Sequence, residues 1–257
     1  MRIAIMQPYF MPYLGYFQGI AAVDKYILYD QVAYIVKGWV NRNRIRQRNM
    51  PPMYISVPIA QKSSYELIAD TRIDNTQDWR RRLLKCLQIG YAKADYYVEV
   101  MPLMEEIFGR EYESISELNG QSILRICKFL DIKTEIITDC TPYLEIERGL
   151  AKVEEGDYSA FPEMEKTRPS KMAARVIALC QKEGANELIN AIGGTELYDK
   201  TEFAQYGIKL DFIKTNDIRY SQKCKNDSYE SNMSIIDVLM HNGKEGTKKL
   251  LNQYTLV

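Results

Sequence analysis

The first thirty residues, MRIAIMQPYFMPYLGYFQGIAAVDKYILYD (residues 1–30), decide the fold. Residues 2–6 form a β-prone run, and residues 7–12 contain two prolines and cannot continue it as regular structure. A helical pattern follows over residues 13–22, and residues 25–29 form a second β-prone run that ends at Asp30. A strand, a turn, a helix and a strand in this order make a βαβ unit, which predicts two parallel strands joined by a right-handed crossover.

The rest of the chain alternates between strand-like and helical patterns. Four further segments have strand-like patterns: residues 53–59, 133–138, 187–192 and 208–213. Helical patterns cover residues 76–130, 169–182, 234–240 and 245–254. This alternation predicts the α/β class, with a mostly parallel sheet and flanking helices in a single domain over residues 1–257. Within that domain we expect a helical insertion at about residues 76–131 and an irregular, lid-like segment at about residues 140–162.

The composition is that of a globular protein, and the charge balance argues against nucleic acid or an anionic membrane as a general partner. Hydrophobic residues make up 46% of the 257 residues, and 34 basic side chains balance 34 acidic ones. This balance gives no general attraction to nucleic acid or to an anionic membrane, so any anion must be bound by a local cluster. No segment is apolar for long enough to serve as a signal peptide or a membrane span, and we therefore expect a cytoplasmic protein.

The cysteines and the single histidine do not form a metal-binding pattern, so no metal site is predicted. Four of the five cysteines lie among apolar residues and are expected to be buried and reduced. Cys224 lies in a polar segment between two lysines and is the best candidate for a catalytic cysteine. His241 has the residue type of a general base near neutral pH, but its place at a helix end favours a structural role.

The loop after the first strand carries the sharpest functional signal. Loops at the carboxyl ends of parallel strands form ligand sites, which points to residues 7–16 and to Asp30. Free amides beside the start of a helix favour an anion, and a glycine in the first helical turn lets a ligand come close to the backbone. The candidate substrate-binding residues of this loop are Gln7, Pro8, Tyr9, Tyr13, Gly15 and Tyr16.

The segment Tyr13-Leu14-Gly15-Tyr16 resembles a His-x-Gly-His motif in which tyrosine replaces both histidines. That motif marks the superfamily of nucleotidylyltransferases and class I aminoacyl-tRNA synthetases, where it holds the phosphates of ATP. The resemblance implies a nucleotidylyltransferase-like (HUP-type) core. A second interpretation is that the tyrosines pack as an aromatic cluster under the sheet, and the sequence leaves both open.

A basic stretch at residues 38–48 is the second signal. Its arginines at positions 42, 44, 46 and 48 alternate, so they share one face if the segment is extended. Guanidinium groups suit bidentate binding of phosphate, and Trp39 suits stacking on a base or a sugar. We expect Asn41, Arg42 and Arg44 to bind substrate, whereas Arg46 and Arg48 are more typical of a solvated edge strand.

Three polar blocks near the end of the chain complete the candidate site. Two successive glycines permit close approach of a ligand to the backbone. Asp237 either completes a capping box with Ser234 or lies in a substrate pocket. The candidate residues are Gly193, Gly194, Tyr198, Tyr220, Gln222 and Asp237.

Four blocks, at residues 6–10, 38–45, 193–198 and 234–239, resemble in order the corresponding blocks of the WbqC-like proteins. These proteins are encoded in bacterial gene clusters for surface polysaccharides such as O-antigen and lipopolysaccharide. The resemblance implies a role in that biosynthesis, without a defined reaction. The family pattern has an apolar or aromatic residue at the position of His241, which lowers the case for this residue as a catalyst.

We therefore expect a protein that binds a nucleotide-linked sugar and transfers an acyl or aminoacyl group to the amine of a nucleotide-linked amino sugar. Asp30, Tyr198 and Asp237 would orient the amine or accept its proton. No cofactor is assigned, the donor is open, and an acyl carrier or other enzymes of the pathway are the expected partners. The alternative is a binding or scaffold protein whose ATP chemistry was lost with the two histidines.

Overall fold

The computed structural model describes residues 1–46, 51–61, 63–223 and 229–257. Arg48 and Cys224, two of the candidates above, lie outside the described residues. The strands are β1 (Arg2–Met6), β2 (Lys25–Leu28), β3 (Arg42–Ile45), β4 (Met53–Ser56), β5 (Glu135–Ile137), β6 (Glu187–Ala191), β7 (Lys209–Thr215) and β8 (Tyr254–Leu256). The α-helices are α1 (Leu14–Ala21), α2 (Trp79–Tyr91), α3 (Tyr97–Phe108), α4 (Ile115–Phe129), α5 (Leu144–Val153), α6 (Lys171–Lys182), α7 (Lys200–Ala204) and α8 (Ile235–Leu250).

The main sheet has six strands in the order β5-β2-β1-β6-β7-β8. The first five are parallel, and β8 pairs antiparallel with β7 at the edge. The parallel pairing of β1 with β2 confirms the βαβ unit, and the α/β class is confirmed with it. From β1 the chain builds outward through β2 to β5, and then crosses back to place β6 on the other side of β1. The direction of winding therefore reverses between β1 and β6.

The sheet separates two hydrophobic cores. Successive strand residues point to opposite faces: Ala4 packs with one core and Ile3 with the other. Helices α1, α2, α3, α4 and α8 contribute to the first core, and α5, α6 and α7 to the second. None of the helices in the described part of the chain is both long and apolar enough to cross a membrane.

The helical pattern over residues 76–130 is confirmed, since it forms α2, α3 and α4 between β4 and β5. The expectation of an irregular segment at residues 140–162 was wrong, because α5 occupies its centre. Ile146, Leu150 and Val153 of α5 are buried. They recur at helical spacing, a pattern that the flanking polar residues obscured in the sequence.

One further detail differs from expectation. The strand-like pattern of residues 53–59 was expected to add to the alternation of the main sheet. Instead, β4 pairs antiparallel with β3 in a separate two-stranded hairpin. The break expected between the helical patterns of residues 234–240 and 245–254 is confirmed, since α8 kinks at Gly243 with a φ of 63°, a value that favours glycine.

Candidate functional site

A cleft of about 510 Å³, here called the first cleft, opens at the carboxyl ends of three parallel strands. Its walls are the loop after β1, the residue that follows β6, the end of β7, part of β3, and the segment that precedes β3. The lining residues are Tyr9, Pro12, Tyr13, Gly15, Trp39, Asn43, Arg44, Ile192, Ile213, Lys214, Thr215 and Asn232. The cleft thus lies where the direction of winding reverses, which is the usual ligand site of open α/β sheets.

Buried polar side chains hold the loop after β1 in place. Asn43 donates hydrogen bonds to two loop carbonyls at 3.0 and 2.8 Å, and the Ser234 hydroxyl donates to the carbonyl of Met11 at 2.8 Å. Asn119 on α4 donates to the carbonyl of Pro8 at 2.8 Å. These bonds support Met11 at a φ of 43°, which is uncommon for a residue other than glycine. The loop is therefore fixed by distant parts of the chain before any ligand binds.

The start of α1 borders the cleft. Tyr13 is the N-cap residue without a side-chain cap, and no acidic residue lies in the first turn of the helix. A Cβ atom at Gly15 would lie 2.7 Å from Oγ1 of Thr215 and would also overlap the ring of Tyr13. The glycine is needed because these two side chains pack over it. They occupy the space in which we expected a ligand to approach the Gly15 backbone.

Aromatic side chains form the apolar wall of the first cleft. Trp39 is 41% exposed and stacks on Tyr54, with 6.4 Å between the ring centroids. Burial raises the pKa of Tyr9, with a further contribution from the nearby Tyr13, and burial also raises the pKa of Tyr13. Both hydroxyl groups are therefore protonated at neutral pH and can donate hydrogen bonds to a ligand.

The charged residues that line the first cleft are both cations, Arg44 on β3 and Lys214 on β7. Nε of Arg44 is buried and finds no hydrogen-bond partner in the described part of the chain, and one terminal nitrogen donates to the carbonyl of Ser231 at a long 3.5 Å. No aspartate or glutamate lines the cleft within the described residues. Such a cleft favours an anionic ligand, and the free capacity of Arg44 suits a phosphate.

A buried polar network centres on Asp237, which is fully buried in the first part of α8. Its carboxylate accepts hydrogen bonds from Tyr91 at 2.8 Å, Tyr220 at 2.8 Å and Gln222 at 3.0 Å. Nε2 of His241 lies 3.9 Å from it. Burial raises the pKa of Asp237, and burial lowers the pKa of His241 in spite of the neighbouring carboxylate.

This network corrects two expectations. The capping-box interpretation of Asp237 was wrong, because Ser234 caps the helix alone by accepting from the amide of Ile236, while Asp237 faces the network. Arg46 does not lie on a solvated edge either. It is buried and donates to Oε1 of Gln222 at 2.9 Å, so it ties β3 to the segment before α8.

The three predicted catalytic residues do not meet in the first cleft. Asp30 follows β2, is buried, and accepts hydrogen bonds from Ser116 at 2.6 Å and Gln31 at 2.9 Å. Tyr198 packs edge-on against Phe203, and burial raises its pKa. With Asp237 in its own network, these three side chains serve three separate environments.

The predicted binding residues divide in a similar way. The cleft is lined by Tyr9, Tyr13, Gly15, Trp39 and Arg44. Tyr16 instead packs in the core beside three other aromatic rings, with its hydroxyl bonded to the Gln7 carbonyl at 2.8 Å. Tyr16 therefore follows the aromatic-cluster interpretation, whereas Tyr13 lines the first cleft and its motif interpretation stays a prediction.

Other candidates have structural contacts outside the first cleft. Asn41 accepts from the Tyr34 hydroxyl and donates to the Val57 carbonyl, each at 2.8 Å. Arg42 donates to the carbonyls of Gly38 and Lys37. The remaining candidates that do not line the first cleft are Gln7, Pro8, Gly193, Gly194, Tyr220 and Gln222.

Seven lining residues were not among the sequence candidates, and three of them, Asn43, Lys214 and Asn232, carry amide or charged side chains. Asn43 lies between two arginines on β3, Lys214 lies at the end of β7, and Asn232 precedes α8. The position of Lys214 at the carboxyl end of a parallel strand was a usable signal, since that end carries the ligand loops. Asn43 and Asn232 had no comparable signal, because their roles depend on contacts with distant segments.

Fold and cleft together define a class: an α/β protein with a positively charged, aromatic-walled cleft at the switch point of a mostly parallel sheet. The family model of the WbqC-like protein family matches residues 7–249, and the chain belongs to that family. The family resemblance seen in the sequence is thereby confirmed.

The chain is also similar to the uncharacterized protein Rv1507c of Mycobacterium tuberculosis (strain ATCC 25618 / H37Rv). The two are 28% identical over 247 residues, which cover 95% of each chain. No solved structure matches the chain. The nucleotidylyltransferase-like core and the polysaccharide context stay predictions.

Proposed function

We propose that this protein binds a nucleotide-linked sugar in the first cleft. The observation that carries the proposal is the lining itself, which combines two cations with three aromatic side chains at the switch point of the sheet. A nucleotide-linked sugar needs these two features together, since it carries a diphosphate between two ring systems. The volume of about 510 Å³ lies in the range of small-molecule sites.

Each part of the ligand has a matching group in the cleft. Arg44 and Lys214 take the diphosphate, and Nε of Arg44 gains the partner that it lacks in the unbound protein. Trp39 offers an exposed ring face for the base or the sugar. The hydroxyls of Tyr9 and Tyr13 donate to the oxygens of the sugar or the phosphate.

Transfer of an acyl or aminoacyl group to the amine of a nucleotide-linked amino sugar is the second candidate. The observation that favours it is the protonated hydroxyl of Tyr13 in the cleft, which can donate a hydrogen bond to the carbonyl oxygen of a donor. The described lining contains no carboxylate, imidazole or thiol, so when the amine attacks the donor carbonyl and the bond to the leaving group breaks, the amine proton would pass to that leaving group or to water.

Calorimetric titration with UDP-, dTDP- and GDP-linked sugars tests the binding proposal, with free hexoses and inorganic phosphate as controls. We expect saturable binding of at least one nucleotide-linked sugar and much weaker binding of the controls. Absence of binding across the panel would refute the proposal. Mass spectrometry of mixtures of nucleotide-linked amino sugars with acyl and aminoacyl donors tests the transfer, and a product with the mass of an acyl addition would support it.

A further inference from the structure

A second cleft, of about 720 Å³, borders the β3–β4 hairpin. Its lining comes from the hairpin, from the segment before it, and from one face of α2 with the residues that precede this helix. The side chains that matter here are Lys37, Arg42, Tyr54, Gln77, Trp79 and Arg82. The lining of the first cleft contains none of them. The two clefts therefore share no lining residue, and the second cleft is a separate site.

Three cations line the second cleft: Lys37, Arg42 and Arg82. Its lining within the residues that the structure describes contains no aspartate or glutamate. Arg42 is occupied by the carbonyls of its own loop, whereas Arg82 on α2 is exposed and donates to the Asp78 carbonyl at 3.1 Å and to Gln77 at 3.4 Å. An arginine carries five N–H donors, so Arg82 keeps capacity for a ligand, and the charge of the lining favours an anion.

An unsatisfied donor is the second observation that points to a ligand. Trp79 is 4% exposed and lines the second cleft, and its buried indole Nε1 has no hydrogen-bond partner among the residues that the structure describes. Buried polar groups are nearly always hydrogen-bonded in folded proteins, and an unpaired donor has a cost. An oxygen of a ligand that reached this donor would remove that cost.

The hairpin connects the two clefts. Arg44 and Tyr54 are paired across β3 and β4, so their side chains share one face of the hairpin. The ring of Tyr54 stacks on Trp39 of the first cleft, and the Arg42 guanidinium lies 4.7 Å from the centre of the same ring. Trp39 of the first cleft and Arg42 of the second therefore both pack against the Tyr54 ring, which is 53% exposed and keeps surface for a ligand in the second cleft.

We propose that the second cleft binds a second ligand that carries phosphate groups and a planar ring, alongside the ligand of the first cleft. Its phosphates lie against Arg82 and Lys37, and its ring lies against Tyr54. The role of this ligand as a co-substrate rests on the proposed function, but its binding does not. Two sources share this chemistry, a free nucleotide and a coenzyme A thioester, and the test below separates them.

The chain contains two tryptophans, and each lines one cleft, which allows each site to be observed alone. In a Trp39→Phe variant the intrinsic fluorescence comes from Trp79 in the second cleft. We expect this fluorescence to change saturably on addition of ADP or of acetyl-coenzyme A. A response to both probes assigns the site to the nucleotide part that ADP and acetyl-coenzyme A share. A response to acetyl-coenzyme A alone assigns the site to coenzyme A thioesters as the ligand class.

Arginine variants in the Trp39→Phe background then locate the binding. Arg82→Ala should raise the half-saturating concentration about tenfold or more, the usual effect of losing a charge-assisted hydrogen bond. Arg81→Ala is the matched control, since Arg81 is the neighbouring exposed arginine on α2 and is absent from the lining. No response of Trp79 to either probe, or equal effects of the two substitutions, would overturn the proposal.

A third substitution separates this proposal from the proposed function. Lys214→Ala alters the first cleft alone and should leave the response of Trp79 unchanged. If Lys214→Ala weakened probe binding and Arg82→Ala did not, the probes would occupy the first cleft and the second site would be refuted. Loss of nucleotide-sugar binding in calorimetry, with an intact Trp79 response, would refute the proposed function instead.

Discussion

Replacement of Arg44 by lysine tests whether the guanidinium fork binds a diphosphate in the first cleft. The substitution keeps the positive charge and removes the bidentate geometry. Arg44 lines the cleft from β3, its Nε has no partner, and its one contact with a carbonyl is 3.5 Å long. The unbound protein therefore loses little when the guanidinium is removed, and most of the effect should fall on the bound state.

The expected magnitude follows from these contacts. One charge-assisted hydrogen bond contributes about 1.5–3 kcal/mol, and lysine can replace one of the two bonds of a fork but not both. The affinity for a nucleotide-linked sugar should fall roughly ten- to a hundredfold. The free energy of unfolding should change by less than about 1 kcal/mol, because the hydrogen bond of the guanidinium within the described residues is a long one.

Calorimetric titration of Arg44→Lys and Arg44→Ala with the best ligand of the panel gives the affinities, and urea unfolding gives the stability. Arg42→Lys is the matched control, since Arg42 lies two residues away on the same strand face and lines the second cleft instead. It should leave this affinity within about twofold. Equal affinity in the wild-type protein and in both Arg44 variants would refute the phosphate role of the first cleft.

Three further predictions concern the cleft and the buried network. Gly15→Ala should lower the free energy of unfolding by about 1–3 kcal/mol in urea unfolding, because its Cβ would overlap Thr215. Gly193→Ala is the control and should be neutral, since its Cβ would meet no atom within 4 Å. Equal effects of the two substitutions would contradict the packing argument. Lys214→Ala should weaken nucleotide-sugar binding about two- to fivefold and reduce its dependence on salt in calorimetry, as for an exposed charge; unchanged salt dependence would argue against contact with the phosphates. Burial lowers the pKa of His241, so the unfolded chain binds its proton more tightly and stability should fall as the pH drops below about 6.5. His241→Gln should flatten that decrease in urea unfolding between neutral and mildly acidic pH, and an unchanged slope would exclude the histidine as its source.

Contacts between distant segments decided several roles that the sequence left open or assigned otherwise. Arg42 and Arg44 are two residues apart on β3 and share one face of the strand. They nevertheless line different clefts, because different segments of the chain pack around them. Arg46 was interpreted as solvated because no local pattern shows that Gln222 lies beside it. In each case the residue type indicated a role for the arginine, but the groups that it contacts in the fold could not be predicted from the sequence.

The sequence alone determined the β1–α1–β2 unit, the place of the loop that begins at Gln7, and the family. Strand and helix periodicities and the prolines of a tight loop act within a few residues, so they can be identified without knowledge of the rest of the chain. For the same reason the sequence predicted that this loop forms part of a site at the carboxyl end of a parallel strand.

Only the tertiary structure decided what completes that site. Lys214 reaches the first cleft because β7 takes its place beside β6, and Asn43 holds the loop because the hairpin packs against it. The Asp237 network joins α2, the segment at residues 220–222 and α8, which are far apart along the chain. Such contacts form when burial of apolar faces brings segments together, and their partners cannot be identified from local sequence.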